Sequence, residues 1–305
     1  MIEVAIMIEG QNGLNWPRWQ RIAQAVEDLG FAGLYRSDHF TNADPPDIES
    51  LELWVSLTWL ASHTRRIEFG PLVTPFSFRH PVHTARVASQ VDDLSDGRLT
   101  LGLGAGWQER EHDHFGFDLL EPRQRFARFE EGLEVVTRLL RGDEPVSFDG
   151  EFYQLRDAIL LPRPQRPGGP PILIGGNGPT RTPTFVARYA SEWNGVFLTP
   201  SRYAQLSRRL DEVLEQHGRQ PRDVRRSLMT YCAFGRDEQE LRGKLDGRDA
   251  AEMREQGLVV GTAAQIIEQL GRLDEAGVQR VMLQWLDLDD LDGLEAMAST
   301  VLPQV

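Results

Sequence analysis

The chain has 305 residues and a formal net charge of −13 at pH 7. That charge excludes broad nucleic-acid binding, which requires a basic face, and leaves room only for a local basic pocket. A single cysteine, Cys232, excludes an intrachain disulfide and fits a reducing, cytoplasmic setting.

From the N-terminus, residues 1–6 carry no basic stretch ahead of their apolar run, so no secretory leader is expected. No run approaches the roughly 18 apolar residues of a membrane span, and no membrane partner is expected. Residues 2–8 read as a strand and 16–29 as an amphipathic helix, closed by Gly30 as a left-handed cap. The alternation continues with strand 33–36 and helix 51–62, strand 67–74 and helix 82–94, then strand 99–103 and helix 125–140. It ends with strand 171–174 and helix 181–190, strand 195–198 and helix 203–217, strand 228–234 and helix 263–276, and a last strand over 280–285. Gly277 caps the last of these helices as Gly30 caps the first. Strands alternating with helices specify parallel βαβ units, and this many units in one chain specify an α/β fold, a (β/α)8 TIM barrel over residues 1–305 as a single domain. Two insertions interrupt it: a hairpin over 146–153 around Asp149-Gly150, and a charged helical stretch over 237–258.

In such a barrel, function gathers where strands end. After the second strand come Asp38 and His39, either a capping pair in a loop or an imidazole oriented for proton transfer. After the third come Thr74, a hydroxyl donor at a strand end, and Arg79, a cation suited to an anionic group, followed by Pro81 at the first turn of a helix. After the fourth comes Gly102-Leu103-Gly104-Ala105-Gly106-Trp107, whose glycines either admit a ligand close to the backbone or relieve crowding in the wall. After the fifth comes Gly175-Gly176-Asn177-Gly178-Pro179, a turn opening a helix and therefore a candidate anion site. Lys244 is the only lysine, and arginine's planar fork suits phosphate and carboxylate ligands.

Two rival readings are weaker. A dinucleotide fingerprint needs G-x-G-x-x-G at a first strand opening directly into a helix, whereas this chain has G-x-G-x-G at its fourth strand unit, followed by a charged and aromatic loop over 107–121. His112-Asp113-His114 has a metal-ligand spacing, and Asp38, His39, His80 and His83 add donors, but the first strand ends in Glu9-Gly10-Gln11 and strands five to eight end without histidine. No metal is expected.

Taken together, Ser37-Asp38-His39-Phe40, the run from Gly70 to Pro75 with Arg79-His80-Pro81, the run from Leu94 to Trp107, and Ile172-Leu173-Ile174-Gly175-Gly176 resemble the luciferase-like monooxygenase superfamily, in particular its branch using the deazaflavin coenzyme F420. The resemblance spans nearly the whole chain. It implies a cofactor ring lying across the barrel mouth, with Asp38 and Thr74 at its polar atoms and His39 at its reacting face. It implies a non-proline cis peptide at Leu72–Val73, forming a bulge against the middle ring. Ala105 and Gly106 would touch the tail, and backbone N–H groups of Gly175 and Gly176 its phosphate. Trp107 and Gln11 would stand in the substrate pocket. Deazaflavin-dependent sugar-phosphate dehydrogenases of this superfamily have glutamate where this chain has Trp107, so sugar-phosphate oxidation is not expected. The resemblance also implies a homodimer through the helices after strands two and three, with spare apolar surface on Leu53, Trp54, Leu57 and Trp59. The expected activity is F420-dependent hydride transfer with a small organic substrate. The alternatives are an FMN-dependent monooxygenase and a non-catalytic flavin-binding barrel.

Overall fold

The computed structural model describes residues 1–305. Nine parallel strand segments form one wall in the order Glu68–Pro71, Gly33–Arg36, Glu3–Ile8, Arg280–Gln284, Arg225–Phe234, Glu192–Val196, Ile172–Gly175, Leu101–Gly104, Thr74–Pro75. The first and last segments of that path are two halves of the third barrel strand, and a Phe69–Leu99 bridge closes the ring. The alternation expected of a (β/α)8 barrel is therefore what the chain builds.

The third strand is interrupted at Leu72–Val73, where the peptide is cis as expected. The next strand accommodates the interruption with glycine. A Cβ at Gly102 would stand 2.1 Å from Pro71 O, and one at Gly104 would stand 2.5 Å from Val73 Cγ2. These two glycines relieve crowding between neighbouring strands.

Two layers of apolar packing hold the wall. The larger cluster lies between strands and helices, where outward-facing residues such as Leu34, Ile174 and Val281 meet the apolar stripes of the helices. The smaller fills the barrel with Ala5, Met7, Tyr35, Leu72, Leu173, Met229 and Met282. Each fully buried side chain of this size contributes about 1.5–3 kcal/mol. This inner plug is the floor beneath the C-terminal mouth.

Several boundaries differ from expectation. The sixth strand is Glu192–Val196 rather than 195–198, because its inward positions Glu192 and Asn194 are polar and mask the apolar pattern. The hairpin pairs Val146–Asp149 with Gln154–Ala158 around a turn that runs to Tyr153. The 107–121 loop contains a helix, Glu109–Phe115, and the 237–258 insertion folds as Glu238–Leu245 and Ala250–Glu255. The spare apolar surface expected after strand two is also corrected. Leu53, Trp54 and Leu57 are buried within the protomer, and the exposed apolar residue of that helix is Val55, beside half-buried Trp59. No helix is long and apolar enough to cross a membrane.

Candidate functional site at the barrel mouth

A cavity of about 470 Å³ opens at the C-terminal ends of the strands. Leu72, Met7 and Met229 of the inner plug reach it from below, with Val73 beside them. Around it stand Asp38, His39, Ala105, Gly106, Trp107, Gly175 and Gly176, all anticipated, together with Glu9, Glu111, Asn194, Phe126, Phe197 and Gln284, none of which had been assigned a role.

His39 is the chemically pointed residue. Its Nδ1 lies 2.8 Å from Glu111 Oε1, and the other carboxylate oxygen accepts the Phe40 N–H at 2.9 Å. Glu111 is buried, so this carboxylate is fixed from both sides. Burial works against a charged imidazole, but the hydrogen bond and charge of Glu111, with Glu9 and Asp38 nearby, outweigh it and raise the His39 pKa above its usual value. Trp107 packs edge-on against the imidazole at 5.6 Å and is 63% exposed at the rim. Glu111 sits on the helix Glu109–Phe115, whose buried positions Glu111 and His112 face inward. His112 is spent on structure, with Nδ1 against Gln108 O at 2.6 Å and Nε2 against Ser77 Oγ at 2.8 Å.

Asp38 borders the cavity but is already engaged. One oxygen accepts from the Thr74 hydroxyl at 2.6 Å and from Arg79 Nη1 at 2.5 Å, and the other from Arg79 Nη2 at 3.3 Å. Arg79 also reaches Glu52 at 2.6 Å. Thr74 is thus a prop behind Asp38 rather than part of the cavity wall. The same holds for Gln11, whose amide oxygen accepts from Ser37 Oγ at 2.7 Å and whose Nε2 donates to Glu9 at 2.9 Å. The position facing the cavity is Glu9. Alternation along the strand would have found it, because Ala5 and Met7 point inward and the next inward residue is Glu9.

The glycine-rich turns differ in kind. At Gly106 the backbone is left-handed, φ +84°, and an added Cβ would stand 2.9 Å from Ser77 Oγ. Arg125 Nη1 braces this turn by donating to Gly106 O at 3.1 Å. Gly176 has φ +135°, and its N–H donates to Asn194 O at 3.0 Å. That corrects the expectation that this N–H meets a phosphate, since it is spent on the neighbouring strand. Asn177 then continues the ladder with its side chain, pairing with Val196 N and O at 2.9 and 2.7 Å. Beyond it the turn opens into the helix Arg181–Tyr189. Phe197, with a left-handed φ of +50° and 42% exposure, overhangs the same rim.

Phe126 borders this cavity and also a second, more open groove of about 450 Å³ between the helices Pro122–Arg141 and Arg181–Tyr189. Arg123 and Arg181 line that groove, and the Arg181 guanidinium lies 4.7 Å from the Phe126 ring. Glu130, the acidic residue there, is paired with Arg188.

Comparison with known proteins agrees with this geometry. Residues 3–251 match the family described as luciferase-like monooxygenase. The chain is 33% identical over 248 residues to 4-hydroxyprotoasukamycin monooxygenase of Streptomyces nodosus subsp. asukaensis, covering 77% of this chain but 64%, less than two thirds, of that protein. It is 28% identical over 275 residues to F420-dependent glucose-6-phosphate dehydrogenase of Kineococcus radiotolerans, covering 88% of this chain and 78% of that one. An F420-dependent secondary alcohol dehydrogenase, solved with an F420–acetone adduct, superimposes with a TM-score of 0.84 over 98% of both chains, and at 17% identity that likeness is one of fold. With its barrel, its mouth and its match from residue 3 to residue 251, this chain belongs to the luciferase-like monooxygenase family.

Proposed function

We propose that this protein is an F420-dependent oxidoreductase that exchanges hydride between the deazaflavin and a small organic substrate. The observation that carries the reading is that the mouth cavity adjoins, across the shared Phe126, a groove lined by Arg123 and Arg181. In a chain of net charge −13, two arginines in one groove beside the cavity suit the acidic oligoglutamate extension of the deazaflavin. FMN has no such extension and would leave the groove unused. The names of relatives support the same choice, among them the F420-dependent glucose-6-phosphate dehydrogenases of Kineococcus radiotolerans and Amycolatopsis mediterranei.

When bound, the deazaflavin supplies the ring carbon that gives or takes hydride. The chain's residues do the rest. Leu72 and Val73 offer an apolar face at the mouth, and Trp107, Phe126 and Phe197 wall off water at the rim. Asp38, held by Thr74 and Arg79, offers a fixed acceptor edge. The backbone amides of Asn177 and Gly178, next along from the spent Gly176 N–H, serve the phosphate at the start of the helix. His39 holds the proton that accompanies hydride transfer, and Glu111 fixes its ring and stabilises its charge. The protein acts as a homodimer in this reading, with Val55 and Trp59 on the contact face.

Titration of the purified protein with F420 and with FMN, followed by fluorescence, tests the reading. F420 is expected to bind the more tightly. The double variant Arg123→Ala/Arg181→Ala is expected to raise the Kd of tailed F420 roughly threefold to tenfold, with little change for a deazaflavin lacking the tail. Tight binding of FMN with none of F420 would overturn the proposal in favour of a flavin monooxygenase, and cofactor binding without turnover on any substrate would leave a storage barrel.

A further inference from the structure

We infer that Glu9 determines substrate specificity at this mouth, and that its substrate presents a protonated amine on an apolar, ring-sized body. The inference rests on the proposed function above and adds the substrate class.

Three carboxylates border the cavity, and two are paired with a basic side chain where they stand. Asp38 is tied to Arg79 and Thr74, and Glu111 to His39. Glu9 is different. Its oxygens accept from Gln284 Nε2 at 2.6 Å and from Gln11 Nε2 at 2.9 Å. Both partners are neutral amides, which orient a carboxylate without cancelling its charge. The buried Arg36 lies nearby but spends its donors on Ser37 O, Ser56 Oγ and Leu51 O. A carboxylate offers about four lone-pair positions, so Glu9 keeps acceptor capacity toward the cavity.

Apolar side chains stand among the walls of the cavity that Glu9 borders. Met7 and Met229 lie beneath the mouth, and Trp107 stands exposed at its rim with a ring face that attracts cations. A ligand matched to both features carries an ammonium group beside Glu9 and a flat apolar body against the methionines and the indole. Anionic substrates meet an unpaired carboxylate in a half-enclosed site and are rejected. The Glu111 carboxylate is taken up by His39 Nδ1 and the Phe40 N–H, which leaves Glu9 as the acceptor open to a ligand. The arginines that suit an anion lie in the neighbouring groove, so cofactor and substrate are sorted by charge to different parts of one mouth.

The test uses benzylamine, benzyl alcohol and benzoate as probes, by calorimetry on the full-length protein, free and loaded with F420. Wild type is expected to bind benzylamine tighter than benzyl alcohol by about tenfold or more, the worth of one charged hydrogen bond, and benzoate weakest. Glu9→Gln is expected to erase the amine preference, and Glu9→Asp, which keeps the charge, to retain most of it. Equal affinity for amine and alcohol, a preference that survives Glu9→Gln, or no amine binding to either form of the protein would overturn the inference. F420 is titrated separately into wild type, so a failure of the cofactor reading is seen apart from a failure of the amine preference.

Discussion

At the N-terminal end of the barrel the fully buried Arg280 meets Glu3 at 2.9 Å and Glu68 at 2.6 Å, and donates to the Tyr35 hydroxyl at 2.5 Å. Arg225 joins the same two glutamates from the side, and Glu192 lies 3.7 Å from Arg280. At the C-terminal end the polar groups border a cavity, and one carboxylate there, Glu9, is held by two amides rather than by a salt bridge. The same residue types thus serve opposite ends. Below, two arginines hold three carboxylates inside the wall and close it. Above, Asp38 is paired with Arg79 and Glu111 with His39, whereas Glu9 meets only amides, and His39 borders the open cavity. The N-terminal network is read as stability and the mouth as chemistry, which is the usual division in this fold.

The largest effect that sharpens this division is at His39. His39→Gln keeps a donor for Glu111, so the buried carboxylate is not stranded, but it removes the titratable ring. Turnover with F420 and substrate is expected to fall by roughly 10²–10⁴-fold, while the denaturation midpoint, measured above the raised His39 pKa, stays near that of wild type. The pairing with Glu111 also has a pH signature. Because the folded pKa of His39 is raised, the pair's contribution to stability is fully present below the usual imidazole value of 6.5 and is lost as pH rises through the raised folded value. Glu111→Gln is expected to move the His39 titration to lower pH in NMR spectra and to flatten that part of the stability profile. An unmoved titration would detach Glu111 from the proton chemistry.

The opposite outcome is expected below. Arg280→Met removes the cation from between three carboxylates, two of them partly exposed and able to take on water. Burial already pushes the Glu192 pKa up against the charge of Arg280, and removing Arg280 pushes it further the same way. The loss is expected to be about 3 kcal/mol in chemical denaturation, with the F420 Kd of the folded fraction unchanged. A variant that loses cofactor affinity and keeps its stability would break the comparison between the two ends.

How much of this was legible in the sequence depended on whether a residue's job was local. The barrel was legible because strand and helix periods repeat, and Asp38, His39, Ala105, Gly106, Trp107, Gly175 and Gly176 were legible because they follow strand ends. Thr74 and Gln11 also follow strand ends, yet they point at Asp38 and at Ser37 with Glu9 rather than into the cavity. Order along a loop does not say which member faces the ligand. Glu111 lay hidden in the charged loop over 107–121, because its partner is 72 positions away and its helix is short and charged. The sixth strand was misplaced for a related reason. Glu192 answers to Arg280 and Asn194 to Ser227, partners that no local pattern shows.

The smallest expected effect lies where wall and mouth meet, at Asn177. Its side chain imitates a backbone peptide, donating to Val196 O and accepting from Val196 N, and so extends the pairing of strands five and six by one step. The residue is exposed, so water replaces both bonds when the side chain is removed. Asn177→Ala is therefore expected to cost about 1 kcal/mol of stability, and faster hydrogen exchange at the Val196 amide would locate the loss. The consequence for binding follows from what the pairing holds in place. Gly176 is tied to the next strand by its own N–H, and the amides proposed for the phosphate come directly after it. Loosening this joint is expected to raise the F420 Kd roughly threefold to fivefold and to leave kcat at saturating cofactor unchanged. A fall in kcat with no change in Kd would mean that the turn positions the reacting groups rather than the phosphate, and the boundary between wall and mouth would then lie beyond Asn177.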